Sequence, residues 1–309
     1  MTEPLNINNA NHTRLSLAGI LVALYAADDM QQRVLGAMEQ FVVDEVEEEP
    51  DIIIRTRWGK TYDDSGGSLL FDSGSIWRLY ATDDNGFEFR LAAPFSDWRP
   101  FKTARFNSSW TRGEIICDER YFEPGKVVYP LEYPLDEVLI SNMLAAGRGI
   151  EIHGCALSDD EGNGYLFAGQ SGAGKSTMAL LWSNHEGIKI LSDERVIIRR
   201  GVDGQFHMHG TPWHGDAGIS STTSAPLSKI FLLGRGHVNE LVPQAKPQAA
   251  ARLFACSFPP FYSSSGIAYT LEFLDELTQQ VECCELRFVP DEKVIRFIRE
   301  QVKKVKVKR

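Results

Sequence analysis

The chain is short of the features that make a disulfide scaffold, a nucleic-acid binder or a membrane span. Its five cysteines, Cys117, Cys155, Cys256, Cys283 and Cys284, are odd in number and carry no CxxC spacing. That argues against a disulfide framework and for reduced thiols in the cytoplasm. Basic residues are outnumbered, 32 Lys and Arg against 42 Asp and Glu, for a net charge of −10. A general nucleic-acid binder presents a basic field, so no nucleic-acid partner is expected. The basic run "KKVKVKR", 303–309, reads as a solvated tail or as a contact for an acidic partner. Long apolar runs are missing too. "LAGILVALYAA", 17–27, falls well short of the roughly 20 residues a bilayer requires, and it runs into Asp28 and Asp29. It reads as a buried strand or helix with no cationic start before it, so no membrane association is expected.

What is present is a chain of 309 residues with an ordinary hydrophobic fraction of 43%, enough for one large or two modest domains. Residues 1–130 read as a β-rich N-terminal domain. "DIIIRTRW" and the alternating "FEFRL", 87–91, after the turn pair Asn85-Gly86, are strand signals, and "DDSGGS", 63–68, is a loop. Residues 131–309 read as an α/β (α+β) domain. "YPLDEVLISNMLAAG" has helical period, with Pro134 at its start and Gly147 past its end. "IEIHGCAL" and "GYLFAG" form two strands around "DDEGNG", 159–164. "IKIL", "RVIIRR", "QFHMHG" and "KIFLLG" are further strands, "AAARLFACSF" is helical, and "DEKVIRFIREQV" is a closing helix with Asp291 as its cap.

The chemistry concentrates in "FAGQSGAGKST", 167–177, which matches GxxxxGK[ST] between a strand and a helix. Bare glycines let successive backbone N–H groups turn inward around a phosphate, and the following helix adds the positive end of its dipole. The pattern predicts that Gly169, Ser171, Gly172, Ala173, Gly174, Lys175, Ser176 and Thr177 cradle ATP. Lys175 supplies the mobile cation and Ser176 a hard oxygen for Mg²⁺. A carboxylate at the end of a neighbouring strand completes such a metal site, and "IKILSDE" offers Asp193 and Glu194. His153 is either a packed strand histidine or part of the same site. "HGTPWHGDAG" is a shaped loop that either covers the ligand, ordering when nucleotide or acceptor binds, or is a tight connection around Trp213. His207, His209 and His214 make a weaker case for zinc, since no cysteine stands at a recognised spacing.

Together, "IHGCAL", "GQSGAGKS" and "ILSDERVII" resemble the catalytic core of HPr kinase/phosphorylase, over roughly residues 150–235, under a third of the chain. The resemblance implies a phosphoenolpyruvate-carboxykinase-type P-loop fold. It also implies Mg-ATP-dependent transfer of the γ-phosphoryl group to a serine hydroxyl of a protein or peptide acceptor. By position, Lys175 would hold phosphates, Ser176, Asp193 and Glu194 would surround Mg²⁺, Asp193 would act as general base, and His153 would stand near the reacting phosphate. Thr177 replaces the family's acidic residue, Glu194 its second aspartate, and no "RGLG" signature is found. The whole looks more like divergent HPr kinase-like proteins, including those that modify peptides in biosynthetic clusters. The rival readings are a nucleotide-binding switch without an acceptor and a small-molecule kinase of the same fold. A homo-oligomer stays open.

Overall fold

The computed structural model describes residues 12–44, 47–61, 67–123, 125 and 127–306, with side chains given as far as residue 302. Most of the expected loop 63–68 and the side chains of the basic run 303–309 lie outside the described residues. The chain divides into two compact units, Met1–Val138 and Leu139–Arg309. Their architecture is mixed α/β, two large sheets with few helices.

The first unit holds β1 (His12–Leu17), β2 (Ile20–Ala26), β3 (Val42–Val43), β4 (Ile52–Trp58), β5 (Ser68–Asp72), β6 (Trp77–Ala81), β7 (Phe87–Ala92), β8 (Pro100–Phe106) and β9 (Arg112–Cys117). They form one sheet in the order β3-β1-β2-β4-β9-β8-β7-β6-β5, parallel at the β2–β4 and β4–β9 pairings and antiparallel elsewhere. "LAGILVALYAA" supplies the end of β1 and all of β2, and β2 is buried on both faces, which explains its unbroken apolar run. In β4 the residues alternate: Ile52, Ile54 and Thr56 are buried while Arg55 and Arg57 are exposed. A strand with period-2 polarity lays one face on a core and leaves the other polar. Asn85, at φ 61°, makes the tight turn into β7.

Helix α1 (Leu135–Ala145) begins at the division between the units. The second unit continues with β10 (Ile150–Ser158), β11 (Gly164–Ala168), α2 (Lys175–Ser183), β12 (Lys189–Ser192), β13 (Arg195–Arg200), β14 (Phe206–His209) and β15 (Ser224–Arg235). It closes with β16 (Glu240–Pro243), α3 (Lys246–Phe254), α4 (Ser264–Gln280), β17 (Glu282–Phe288) and α5 (Lys293–Lys306). β11, β15 and β17 run parallel side by side. Alternate residues of these strands enter two cores. Leu166, Ala168, Ile230 and Leu232 join Leu253, Leu274 and Leu277 of α3 and α4. Phe167, Phe231, Leu233 and Leu286 join Met178 and Trp182 of α2 with Ile295 and Ile298 of α5. Strands sandwiched in this way bury both faces, and β11 has no exposed residue.

The 17-residue α4 has no counterpart in the sequence reading. Its signals were present: Ser263 caps it by accepting from the Gly266 N–H, and Thr270, Phe273, Leu274 and Leu277 recur at helical spacing on its buried side. "KIFLLG" is the middle of a much longer strand, because β15 pairs with β14 through Ser224–Pro226 before it reaches β11 and β17.

Candidate functional site

β11, which lies between antiparallel β10 and parallel β15, ends at Ala168. The glycine-rich segment turns there into α2. Gly172 and Gly174 take φ +76° and +100°, a region that side chains with Cβ avoid. At Gly174 a Cβ would stand 2.8 Å from the Phe288 ring, so the loop is also pressed against β17. Among the described residues the amides of Ser171, Gly172 and Gly174 meet no acceptor, and the first amides of α2 have none within the helix. Donors grouped in this way at a helix N-terminus suit an anion. Lys175 is buried, and its Nζ donates to the carbonyls of Gly169 and Gln170 at 3.0 and 3.1 Å. Burial holds its ammonium below the ordinary lysine value, with Glu194 pulling the other way. Beside the loop lies a cavity of about 410 Å³, lined by residues 169–173, the end of β15 through Arg235, and Arg252 and Cys256 after it. A crevice at the carboxyl ends of parallel strands is where α/β sheets place ligands.

The second expected element is divided by the fold. Glu194 faces His153, with Oε1 at 2.9 Å from His153 Nε2 and also accepting from Arg195 Nη1 at 2.7 Å. Arg195 reaches Glu151 at 3.4 Å and lies 4.3 Å over the Phe258 ring, which fixes its guanidinium. Burial would raise the Glu194 carboxyl, but His153 and Arg195 outweigh it and hold it low. Burial first, and Lys175 second, keep His153 below its ordinary value, so its neutral form is favoured. Strand pairing puts these groups together: the Gly154 N–H donates to the Glu194 carbonyl at 3.0 Å, where β10 and β13 run antiparallel.

Asp193 points elsewhere. It is completely buried, and its two oxygens accept the Gly215 N–H at 3.0 Å and the Ala217 N–H at 2.9 Å. The loop "GTPWHGDAG" is thus already docked on this carboxylate, where the sequence suggested a segment that orders with ligand. Thr211 Oγ1 donates to the Arg195 carbonyl at 2.7 Å, and Trp213 is buried. Gly215 lets the loop come close here, since a Cβ would stand 3.1 Å from Asp193 Oδ2 and Glu194 Oε2.

Of the residues expected to hold Mg²⁺, Ser176 Oγ and Glu194 Oε2 meet no hydrogen-bond donor among the described residues, whereas Asp193 is fully buried with both oxygens engaged by the loop. One carboxylate and one hydroxyl fit a metal that takes most of its ligands from phosphate and water. No group of three or more His, Cys, Asp or Glu side chains among the described residues is arranged to hold a metal. The three histidines considered for zinc go separate ways. His207 pairs with Asp203 at 3.1 Å, His214 Nδ1 lies 3.2 Å from the Gly215 carbonyl, and His209 is held neutral by burial. Burial also keeps the thiols of Cys155 and Cys256 protonated, so they are poor nucleophiles.

Sequence reasoning missed Arg235 and Arg252, which carry no motif, and the loop amides that hold Asp193. No local signal marks either, because both arise from chain segments meeting at a distance.

Residues 134–264, less than half of the chain, match the family model described as SynChlorMet cassette protein ScmC. The matched span includes the glycine-rich loop, His153, Asp193, Glu194 and the loop that covers Asp193. No curated protein sequence matches the chain. No helix among the described residues is long and apolar enough to cross a membrane.

Proposed function

We propose that this chain is an HPr kinase-like phosphotransferase with a P-loop of the phosphoenolpyruvate-carboxykinase type, acting on a hydroxyl of a protein or peptide with ATP as donor. The observation that carries this reading is the glycine-rich turn of residues 169–174 into α2, with its grouped amides, free among the described residues, and the buried Lys175. The loop amides and Lys175 hold the nucleotide phosphates and stabilise the charge spread over the moving group. Mg²⁺, when bound with the nucleotide, supplies further neutralisation, and Ser176 Oγ and Glu194 Oε2 are the oxygens left to hold it. In the transfer the bond from the γ-phosphorus to the bridging oxygen breaks, the acceptor oxygen bonds to phosphorus, and the acceptor proton needs a base.

The geometry favours His153 for that proton. Burial lowers its proton affinity, and in the tautomer whose Nε2–H donates to Glu194 its Nδ1 carries a lone pair, the arrangement of a base oriented by a carboxylate. Asp193, the base implied by the family resemblance, serves here to hold the 211–218 loop. Fully buried under that loop, it would reach an acceptor only once the loop moves. A second reading, a nucleotide-dependent switch without an acceptor, draws on that same latch, since a loop held by two hydrogen bonds is easily biased by a ligand.

The test is incubation with γ-labelled ATP in a lysate of the source cell, with Lys175→Ala in parallel. Label on a macromolecule that disappears in the variant supports the kinase reading. Label on a small metabolite supports a small-molecule kinase, and no transferred label, with ATP still bound, supports the switch.

A further inference from the structure

The polar face of the nine-stranded sheet carries a charge pattern at odds with the acidity of the chain. Side chains alternate across a pleated strand, so Arg55, Arg57, Arg78, Arg90, Arg105 and Arg112 share the face opposite the buried Ile54, Leu79, Phe89, Ala104 and Ile115. Pairing registers set a row of alternating sign across four strands, Arg55–Glu114–Arg105–Glu88. Within the row the charges balance two against two, but arginines outside it draw on the same carboxylates. Both oxygens of Glu114 go to Arg57, at 2.8 and 3.3 Å. Those of Glu88 go to Arg90, at 2.7 Å, and to Arg105. Each oxygen of these two carboxylates is therefore engaged by a guanidinium, two of the four bonds coming from Arg57 and one from Arg90. Arg55 and Arg112 on the face, and Lys60 beside it, are exposed and meet no acidic partner among the described residues. A cleft of about 440 Å³ opens in this face, bordered by Arg57, Lys60 and Arg105 with Glu88 and Glu114, so that Lys60 lines it while Arg55 and Arg112 stand outside its lining.

We propose that this sheet face binds an acidic peptide segment, whose carboxylates pair with Arg55, Lys60 and Arg112. The reading deepens the proposed kinase function, since the bound segment would be the acceptor, and it rests on that function only for the acceptor's role. Charge complementarity selects the occupant: a chain of net charge −10 repels acidic partners everywhere except where cations are in excess. A single-stranded nucleic acid would need exposed aromatic rings for its bases. Tyr80 stands on this face, but its ring is covered by the Arg90 guanidinium at 3.9 Å. The six strands from β4 to β5 are interior to the sheet except β5, so recognition runs through side chains and not through addition of a strand at this face.

The experiment measures fluorescence anisotropy of a labelled peptide of alternating Glu and Ser, about a dozen residues long, against the full chain at low salt, where exposed charges are least screened. A matched Gln and Ser peptide and a poly-dT oligonucleotide of equal charge serve as comparisons. The triple variant R55E/K60E/R112E changes exposed side chains only, and its unchanged circular dichroism and ATP affinity would show an intact fold. The proposal expects the acidic peptide to bind, the Gln peptide not to bind, and the variant to lose at least tenfold in affinity. Equal binding by variant and parent, no binding of the acidic peptide, or tighter binding of the oligonucleotide would each overturn it. Because the readout is binding and not turnover, peptide that binds without being phosphorylated leaves the docking face standing and removes only the acceptor role.

Discussion

Lys175 concentrates the chemistry of the site in one side chain. Its ammonium is buried and bonded to two loop carbonyls, so it is pre-positioned at the mouth of the cradle. Lys175→Ala is expected to weaken ATP binding more than tenfold, about 1.4 kcal/mol or more, or to abolish turnover. Calorimetry and a turnover assay that both match the parent would remove the phosphate role of the loop. His209 gives a pH dependence of known sign. Burial, aided by Arg199, lowers it from 6.5 to about 4 in the folded protein. Between those values the unfolded chain takes up a proton that the folded one refuses. The stabilisation is therefore complete above about pH 6.5 and lost as pH falls to about 4, by about 2 kcal/mol after allowance for partial exposure. His209→Gln should flatten the thermal midpoint over that interval. An unchanged profile would place the acid sensitivity in other groups.

Elements decide which of these residues can act together. The 211–218 loop and the β12–β13 turn meet through two hydrogen bonds on Asp193, at sequence separations of 22 and 24. In Asp193→Asn one oxygen becomes an NH₂ group facing a backbone N–H, and a buried donor left without a partner costs about 1–3 kcal/mol. The variant should keep ATP binding while hydrogen exchange at Gly215 and Ala217 speeds up markedly. In the parent, exchange at these two amides should already be slow without nucleotide. Fast exchange there in the parent would mean that the loop is not held by Asp193. A fall in phosphoryl transfer would then need reading beside His153→Gln, because the two substitutions separate loop anchoring from proton acceptance. The strand-loop-helix around the glycines was legible in the sequence because its determinants lie within about ten residues: a β-forming run, glycines at positive φ, and helix formers. The helix α4 was legible in principle, from its Ser263 cap and its 3.6-residue spacing.

At the scale of the whole molecule, charge is the property that composition sets directly. With a net charge of −10 and a sequence pI of about 5.3, solubility should pass through a minimum near that pH, where net repulsion between molecules vanishes. A minimum displaced by more than about one pH unit would signal that many carboxylates titrate far from their ordinary values. The sequence by itself determined this balance, the glycine-rich turn between β11 and α2 and the alternating strands, because composition and short-range pattern suffice for each. Only the tertiary structure decided that Glu194 joins His153 while its neighbour Asp193 is buried under a loop. The two residues form the bend between β12 and β13, and which of them meets His153 depends on how β10, β13 and the 211–218 loop come together. It also decided that arginines scattered over five strands share one face, since pairing register, and no local signal, brings Arg55, Glu114, Arg105 and Glu88 into a row.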